Sequence, residues 1–338
     1  MRAPMAGRAA AVVAVLALGL SVVVAVTMGP ADISVATAWR ILLERGGIGA
    51  SGASALEIAM VADLRLPRAL LAALCGAGLA LSGAVLQSML RNPLADPFLL
   101  GVSSGASTGA VLVLVLGIGG ALGLSGGAFA GALTAFALML TISRLAGGTT
   151  ATVILAGIAV TQGFTALTSF IVMIGADANT TRGVLFWLMG SLANSDWTDV
   201  AVTATVVVLG MAVCLACAAA LDAFAFGERS AASLGVSVTT VRAAMLVATA
   251  LMTAVVVSTS GAIGFVGLVV PHVARAVVGA RHRALLPLSA LVGALFLLWA
   301  DTIARSAFAP LEVPVGVMTA LVGVPVFVAI LARRQAVG

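Results

Sequence analysis

The sequence contains no lysine and no tyrosine, and charged residues make up only 9% of its 338 positions. A soluble domain carries about 25% charged residues, so this chain cannot cover a water-facing surface and is expected to sit in a bilayer. Every one of its 17 basic residues is arginine. The absence of lysine excludes the phosphate-binding P-loop, whose motif requires one. Any ATP that drives this protein must therefore be bound by another polypeptide.

Cysteine and histidine are also scarce. Cys75 stands alone, and Cys214 and Cys217 lie three positions apart within an apolar run without a charged neighbour that would activate a thiol. We interpret all three as packing residues. With two histidines and no cluster of metal-ligand residues, we expect no metal site and no cofactor in this chain, and no nucleic acid among its partners.

The apolar runs predict an all-α polytopic membrane protein that forms one transmembrane domain over residues 1–338. A membrane-spanning helix needs about 20 apolar residues. Ten stretches meet this requirement; the first could instead be a secretory signal. The predicted spans are 9–28, 69–90, 98–117, 120–142, 152–174, 200–221, 243–260, 262–279, 284–304 and 315–332.

The arginines predict the orientation of these spans. If the N-terminus lies inside, eleven of the 17 arginines fall on the cytoplasmic side and six outside. Positive charge favours the cytoplasmic side, so we predict that both termini lie inside. The short apolar stretch 184–193 cannot cross a bilayer and is predicted to be interfacial or re-entrant.

The sequence gives weak support to two other functional classes, a membrane serine hydrolase and an ion-coupled secondary carrier. Gly101–Gly105 fits the G-x-S-x-G pattern of a serine hydrolase with Ser103 as nucleophile, but that elbow requires a strand-to-helix turn and a histidine partner. An ion-coupled secondary carrier would show a carboxylate inside the membrane. The helix centres offer Gln87, Gln162 and hydroxyl groups instead. Asp301 and Arg305 lie four residues apart and are predicted to pair on one helix face.

The stretch Leu90–Val102 interrupts two apolar runs with Pro93 and Pro97. Proline restricts the residue before it to extended conformations, so Asn92 and Asp96 cannot continue a helix. We predict a short, stiff connection. On it, Leu94 is an apolar side chain at a position expected to be wet.

A second polar segment, Gly227–Val236, follows the sixth predicted span. Glu228 favours a helix N-terminus and Gly235 favours a helix stop. We predict a helix of one or two turns on the inner surface. Such a helix suits either a groove on a partner protein or a solvated connector.

Taken together, these segments resemble the FecCD-type permeases, the membrane subunits of type II ABC importers. The resemblance runs from about residue 60 to residue 334. It is carried by RLPR (65–68), LSGAVLQSMLRNPLADPFLLGVSSGAS (81–107), LAGIA (155–159), FWLMGSL (186–192), GFVGLVVPH (264–272), DTIAR (301–305) and PVGVMTALVGVPVF (314–327).

The resemblance assigns roles to three regions. The loop after the second span, which we call the gate loop (residues 90–101), lines the cytoplasmic gate through Asn92 and Leu94, and a second constriction maps to Thr149 and Thr150. Residues 227–236, which we call the coupling segment, resemble the helices that seat in the ATPase. Within the coupling segment, the resemblance assigns the ATPase contact to Glu228, Arg229, Ser233, Leu234 and Gly235. It assigns docking of the binding protein to Arg65, Arg68 and Arg305.

The resemblance also implies the partners and the transport. It implies a second permease copy in a homo- or heterodimer, ATP-binding cassette subunits that bind ATP and Mg²⁺, and a periplasmic or lipid-anchored substrate-binding protein. The expected location is the bacterial cytoplasmic (inner) membrane, in contact with lipid. The expected function is ATP-driven import of an iron–siderophore complex by alternating access, without enzymatic activity in this chain. Haem and cobalamin are alternative cargoes, and an ion-coupled secondary transporter is a distant alternative.

Overall fold

The structure, a computed structural model, describes residues 3–29, 33–49, 51–118, 120–308 and 311–335. Within these ranges all regular secondary structure is helical, including a π-helical segment at Ala59–Arg65 and a 3-10 turn at Pro97–Leu100. The α-helices are α1 (Ala3–Thr27), α2 (Val35–Arg45), α3 (Ala55–Ile58), α4 (Leu66–Met89), α5 (Val102–Leu116), α6 (Gly120–Leu145), α7 (Thr150–Gly175), α8 (Ala178–Leu188), α9 (Trp197–Ala216), α10 (Ala218–Phe224), α11 (Glu228–Ser233), α12 (Val238–Ser260), α13 (Val266–Val278), α14 (His282–Ser306) and α15 (Val315–Gln335).

Each of the ten predicted spans overlaps an apolar helix, which confirms the all-α, polytopic class. Six stretches of the described chain are long and apolar enough to cross a bilayer: Ala55–Met89, Gly123–Leu145, Thr150–Gly175, Trp197–Ala216, Val238–Ser260 and His282–Ser306. The apolar parts of α1, α5, α13 and α15 are shorter. The number of crossings, the single domain over residues 1–338 and the inside location of both termini stay predictions, and Arg2 lies outside the described residues.

The helix in the predicted eighth span is shorter than the apolar run suggests. It begins only at Val266, because Phe265 adopts a left-handed conformation with φ of 69°. Its 13 residues extend over about 20 Å at 1.5 Å per residue, less than the thickness of the hydrocarbon core of about 30 Å. Pro271 lies inside this helix and does not end it.

The first part of the apolar stretch 184–193 forms the end of α8, and the residues after Leu188 lie beyond that helix. Asp177 caps α8 by accepting a hydrogen bond from the backbone N–H of Thr180 at 2.7 Å. The chain then turns at Gly190, whose carbonyl accepts from the backbone N–H of Val315 at 3.1 Å. The segment after α8 is thereby joined to the start of α15.

Helix α4 lies at the centre of the fold, and most of its residues are buried. It packs against α14 so closely that a Cβ atom at Gly76 would lie 2.1 Å from the carbonyl oxygen of Gly293. Small residues at such contacts let helix backbones approach and gain dispersion energy in a lipid environment. One end of α4 carries the gate loop and the other carries Arg65 and Arg68, so this helix connects the two predicted sites.

Candidate functional site

The gate loop begins with a tight turn at the end of α4. Arg91 has a φ of 50°, which is uncommon for a residue other than glycine. The backbone N–H of Asn92 then donates to the carbonyl of Gln87 at 3.1 Å. The side-chain oxygen of Asn92 accepts from the backbone N–H of Leu94 at 2.9 Å, which is the Asx turn expected of asparagine in a loop. The turn presents Leu94, 50% exposed, at the tip of the loop.

The second half of the gate loop is held by Asp96. Its carboxylate accepts from the backbone N–H of Phe98 at 2.9 Å and caps the 3-10 turn that follows. Burial raises the pKa of Asp96 to about 6, against the opposing effect of the Phe98 hydrogen bond. The turn ends at Gly101, whose φ of 76° favours glycine. Both halves of the loop are therefore fixed by local hydrogen bonds, as the two prolines predict.

The gate loop rests on α7. A Cβ atom at Gly157 would lie 1.8 Å from the carbonyl oxygen of Leu99, so only glycine allows this approach. A cavity of about 320 Å³ lies beside the contact. Its lining combines polar and apolar groups: Asp96, Phe98, Leu99, Ile158, Thr161 and Gln162.

The second predicted gate segment is the start of α7. Thr149 caps this helix by accepting from the backbone N–H of Thr152 at 3.2 Å, and Thr150 is the first helical residue. Gly157 follows Thr150 by about two turns, or about 10 Å. The structure therefore joins the two predicted gate segments through one helix, since α7 begins with Thr149 and Thr150 and holds the gate loop further along.

A larger cavity of about 640 Å³ opens between the end of α8, the turn before α13 and the first half of α15. Its lining is almost entirely apolar and includes Leu188, Phe265, Val317, Leu321 and Val324. A concave, mainly apolar surface of this size suits an organic ligand.

The coupling segment contains the predicted short helix, α11, which begins at Glu228; the side chain of Glu228 lies outside the described part of the structure. Ala231 is fully buried and anchors the helix. Arg229 is exposed, and its carbonyl accepts from the hydroxyl of Ser233 at 3.0 Å. Leu234 is 72% exposed, and Gly235 turns the chain away with a φ of 81°.

Arg65 and Arg305 lie inside the fold at the opposite end of α4. Arg65 donates to the carbonyls of Val26 and Thr27 at 3.0 and 3.2 Å. Arg305 donates to the carbonyl of Met28 at 2.6 Å and also to that of Ala25. The last carbonyls of a helix lack partners within the helix. The two buried guanidinium groups supply these partners at the end of α1.

Arg68 completes this outer arginine cluster, which comprises Arg65, Arg68, Asp301, Arg305 and Glu312. Two nitrogens of Arg68 bind Asp301, with distances of 2.9 and 3.1 Å, and a third binds Glu312 at 3.1 Å. The predicted pair of Asp301 and Arg305 is present at 3.7 Å, but Arg68 is the nearer partner. Docking by the three arginines stays a prediction, and Glu312 is the most exposed member of the Arg68 network.

Sequence reasoning missed a polar chain at the end of α4 that carries the gate loop. His282 Nδ1 lies 2.6 Å from the carboxylate of Asp222, and its Nε2 lies 2.7 Å from the hydroxyl of Ser88. Both ring nitrogens of His282 are thus engaged away from Ser103. Ser88 lies in the block 81–107 that carries the family resemblance, but no spacing ties it to Asp222 or His282, and Asp222 lies in no quoted block.

Residues 16–333 match the FecCD transport family. The chain belongs to this family. Among its relatives is the cobalamin import system permease BtuC of Halobacterium salinarum, which is 47% identical over 82% of this chain and 74% of the relative. The hemin transport system permease HmuU of Yersinia pestis is 40% identical over 81% of this chain and 83% of its own length.

The fold of this FecCD permease is also known from a solved structure. A metal-chelate type ABC transporter in an inward-facing conformation is 31% identical, covers 96% of this chain and 98% of its own, and has a TM-score of 0.84. This FecCD protein is therefore a multi-pass permease subunit of an ABC transporter. It is not itself an enzyme, and the ATPase is a separate subunit.

Proposed function

We propose that this permease imports a bulky metal chelate across the cytoplasmic membrane by alternating access, as a dimer with a second permease copy. The observation that carries the proposal is the 47% identity to a cobalamin import permease over 82% of the chain. That similarity favours cobalamin as cargo. Ferric siderophore is the second candidate, favoured by the likeness to a metal-chelate type transporter; haem is supported by the hemin permease relative.

The apolar cavity of about 640 Å³ supports a large cargo. Residues of α8 and α15 line it, and it is open to the surface. In a dimer, two such surfaces would face each other and enclose the chelate. The polar groups of the smaller cavity, Asp96, Thr161 and Gln162, would meet the cargo next, beside the gate loop. None of the described side chains forms a metal-binding cluster, so the metal would travel inside its chelator.

The gate would close through Leu94. This side chain is half exposed although it is apolar, and the loop that presents it is fixed by Asn92 and Asp96. An apolar side chain on a stiff loop can exclude water from a narrow passage, whereas a flexible loop would not hold it there. Thr149 and Thr150 would form the second constriction at the start of α7.

The ATPase would seat on the coupling segment. Leu234 and Phe226 are 72% and 76% exposed, and they flank a helix anchored by buried Ala231. Two large apolar side chains at the two ends of a short exposed helix fit a groove on a partner protein. The substrate-binding protein would dock at the other end of the permease, above the outer arginine cluster, where Glu312 is partly exposed.

The test of this function is uptake by the purified permease reconstituted with its ATPase and binding protein. Liposomes should accumulate cyanocobalamin in an ATP-dependent manner, and an ATPase variant that binds but does not hydrolyse ATP should abolish uptake. Ferric siderophore and hemin serve as competing cargoes in the same assay. Accumulation driven by a proton gradient with the permease alone would overturn the proposal.

The proposed interface between the coupling segment and the ATPase is tested separately. Leu234→Asp should reduce co-purification of the ATPase, because a charge would have to be buried in the groove. Leu311→Asp is the matched control, since Leu311 is 74% exposed but belongs to the loop between α14 and α15 at the opposite end. Equal yields of the complex for the two variants would remove Leu234 from the interface.

A further inference from the structure

We propose that the chain Ser88–His282–Asp222 links the coupling segment to the gate loop and transmits movement between them. The proposal rests on the proposed function, in which the ATPase moves the coupling segment and the gate loop opens. It assigns positioning roles to three residues that the sequence motifs do not single out.

The chain has short contacts throughout. The carboxylate of Asp222 accepts from the backbone N–H of His282 at 2.9 Å and lies 2.6 Å from Nδ1 of the same residue. The opposite ring nitrogen, Nε2, lies 2.7 Å from the hydroxyl of Ser88. The His282 side chain is almost fully buried. The imidazole of His282 is thereby shielded from water, which strengthens its hydrogen bonds electrostatically, while the Asp222 side chain is 39% exposed.

The three residues lie on the elements that would have to move together. Ser88 is in the last turn of α4, directly before the gate loop. Asp222 is in α10, six positions before the first residue of α11. Between α10 and α11 the chain makes a tight turn, in which Gly227 donates to the carbonyl of Phe224 at 3.0 Å. A displacement of α11 therefore reaches Asp222 over a short, hydrogen-bonded connection, and His282 at the start of α14 passes it to Ser88.

A second contact strengthens the same end of α4. The side-chain oxygen of Gln87 accepts from Arg275 at 2.6 Å, and its amide donates to the carbonyls of Gly267 and Leu268 at 3.1 and 3.2 Å. These bonds tie α4 to α13. The last turn of α4 is thus held by two neighbouring polar side chains that point to different helices. Because these bonds hold the last turn of α4 to α13, a displacement at α10 would move this turn as a unit and would not unwind it.

The same three residue types form the catalytic triad of serine hydrolases, but the surroundings differ here. Ser88 lies within a helix rather than at a strand-to-helix elbow, and its hydroxyl is 3.0 Å from the carbonyl of Ala84 in the preceding turn. The geometry points to a connector between helices.

The experiment compares Ser88→Ala and Asp222→Asn with wild type in the reconstituted complex, and measures cargo uptake and ATP hydrolysis in one preparation. Allosteric coupling between sites commonly changes an equilibrium by about 5- to 150-fold. We expect uptake per ATP to fall at least about fivefold, at the lower end of that range, while the complex still assembles and hydrolyses ATP. Ser88→Thr keeps the hydroxyl and should restore the ratio. The double variant should be no worse than the more affected single variant, because both break one chain.

Ser21→Ala is the matched control. Ser21 is a buried serine that accepts a hydrogen bond from a ring nitrogen, Nε1 of Trp299, at 3.1 Å, and Ser88 likewise contacts a ring nitrogen. It should leave uptake per ATP unchanged. An unchanged ratio in both test variants would overturn the linkage, and so would loss of the assembled complex in both, since the contacts would then only hold the fold. Failure of the wild-type complex to take up any chelate would overturn the proposed function instead.

Discussion

The carbonyl oxygen of Leu99 lies against Gly157, so closely that a Cβ atom on Gly157 would come within 1.8 Å of it. This contact seats the gate loop on α7, the helix that begins with Thr149 and Thr150. The relative position of the two predicted gate segments is therefore set by the backbone contact between Leu99 and Gly157.

Gly157→Ala should separate the gate loop from α7 and impair transport. Overpacking of a close contact costs about 1–3 kcal/mol, and here the obstacle is backbone, which cannot move aside as a side chain can. The measurement is the Tm of the purified permease together with uptake by the complex. Gly163→Ala, on the same helix with no atom near the added carbon, controls for helix propensity and should be neutral or stabilising. Equal Tm values for the two variants would contradict this account of the contact.

Leu94→Ala should make liposomes that contain the permease leak a small dye in the absence of nucleotide. The variant removes most of the apolar side chain at the tip of the gate loop but leaves the hydrogen bond between the Leu94 N–H and Asn92 in place. Leu145→Ala is the control, because Leu145 is also exposed but ends α6. A Leu94→Ala permease that retains the dye as well as wild type would show that Leu94 does not seal the passage.

Asp301→Asn should lower the Tm of the permease strongly. Asp301 is buried and is held by two nitrogens of Arg68, and breaking a buried pair costs about 3–5 kcal/mol. The matched control is Asp63→Asn, which breaks the pair of Arg45 and Asp63 at 2.6 Å with side chains 53% and 49% exposed. An exposed pair contributes about 0–1 kcal/mol. A similar loss of Tm in both variants would contradict the assignment of the cluster as a buried anchor.

The stability of the permease should decrease as the pH rises from about 4 to about 6, through Asp96. This residue lies in the gate loop, between the helices, and burial raises its pKa to about 6, against about 3.9 in an unfolded chain. Between these values the folded state binds more protons than the unfolded state, so stability falls with rising pH and levels off above the folded pKa. Asp96→Asn should remove this part of the slope while keeping an oxygen that caps the 3-10 turn. The measurement is Tm against pH for both proteins, and identical slopes would contradict the prediction.

Local chemistry explains why the gate loop and the coupling segment could be predicted from the sequence. Pro93 and Pro97 exclude helix at the residues before them, and the loop leaves α4 where expected. Gly235 adopts the positive φ expected of a helix stop. The match over residues 16–333 confirms the family resemblance. The sequence blocks that carry this resemblance are contiguous in the chain, so they can be recognised without knowledge of the fold.

Contacts between distant positions could not be predicted in this way. The pair of Asp301 and Arg305 was predicted because four residues separate them on a helix. The nearer partner, Arg68, is 233 positions away from Asp301. Likewise, 60 positions separate His282 from Asp222, and 194 separate it from Ser88. Burial of Arg65 and Arg305 was missed for the same reason, since their partners are backbone carbonyls at the end of α1, which any sequence would provide.

The placement of those carbonyls bears on how the protein is made. The carbonyl oxygens of residues 25–28 receive their donors from Arg65, which follows soon afterwards in the chain, and from Arg305, which is synthesised near the end. Helix α1 is therefore synthesised long before α14, the helix whose arginine completes the hydrogen bonding at its end. In a nascent chain stalled before Arg305, the carbonyls of Ala25 and Met28 would lack this donor, and Arg65 would be the arginine that binds the end of α1.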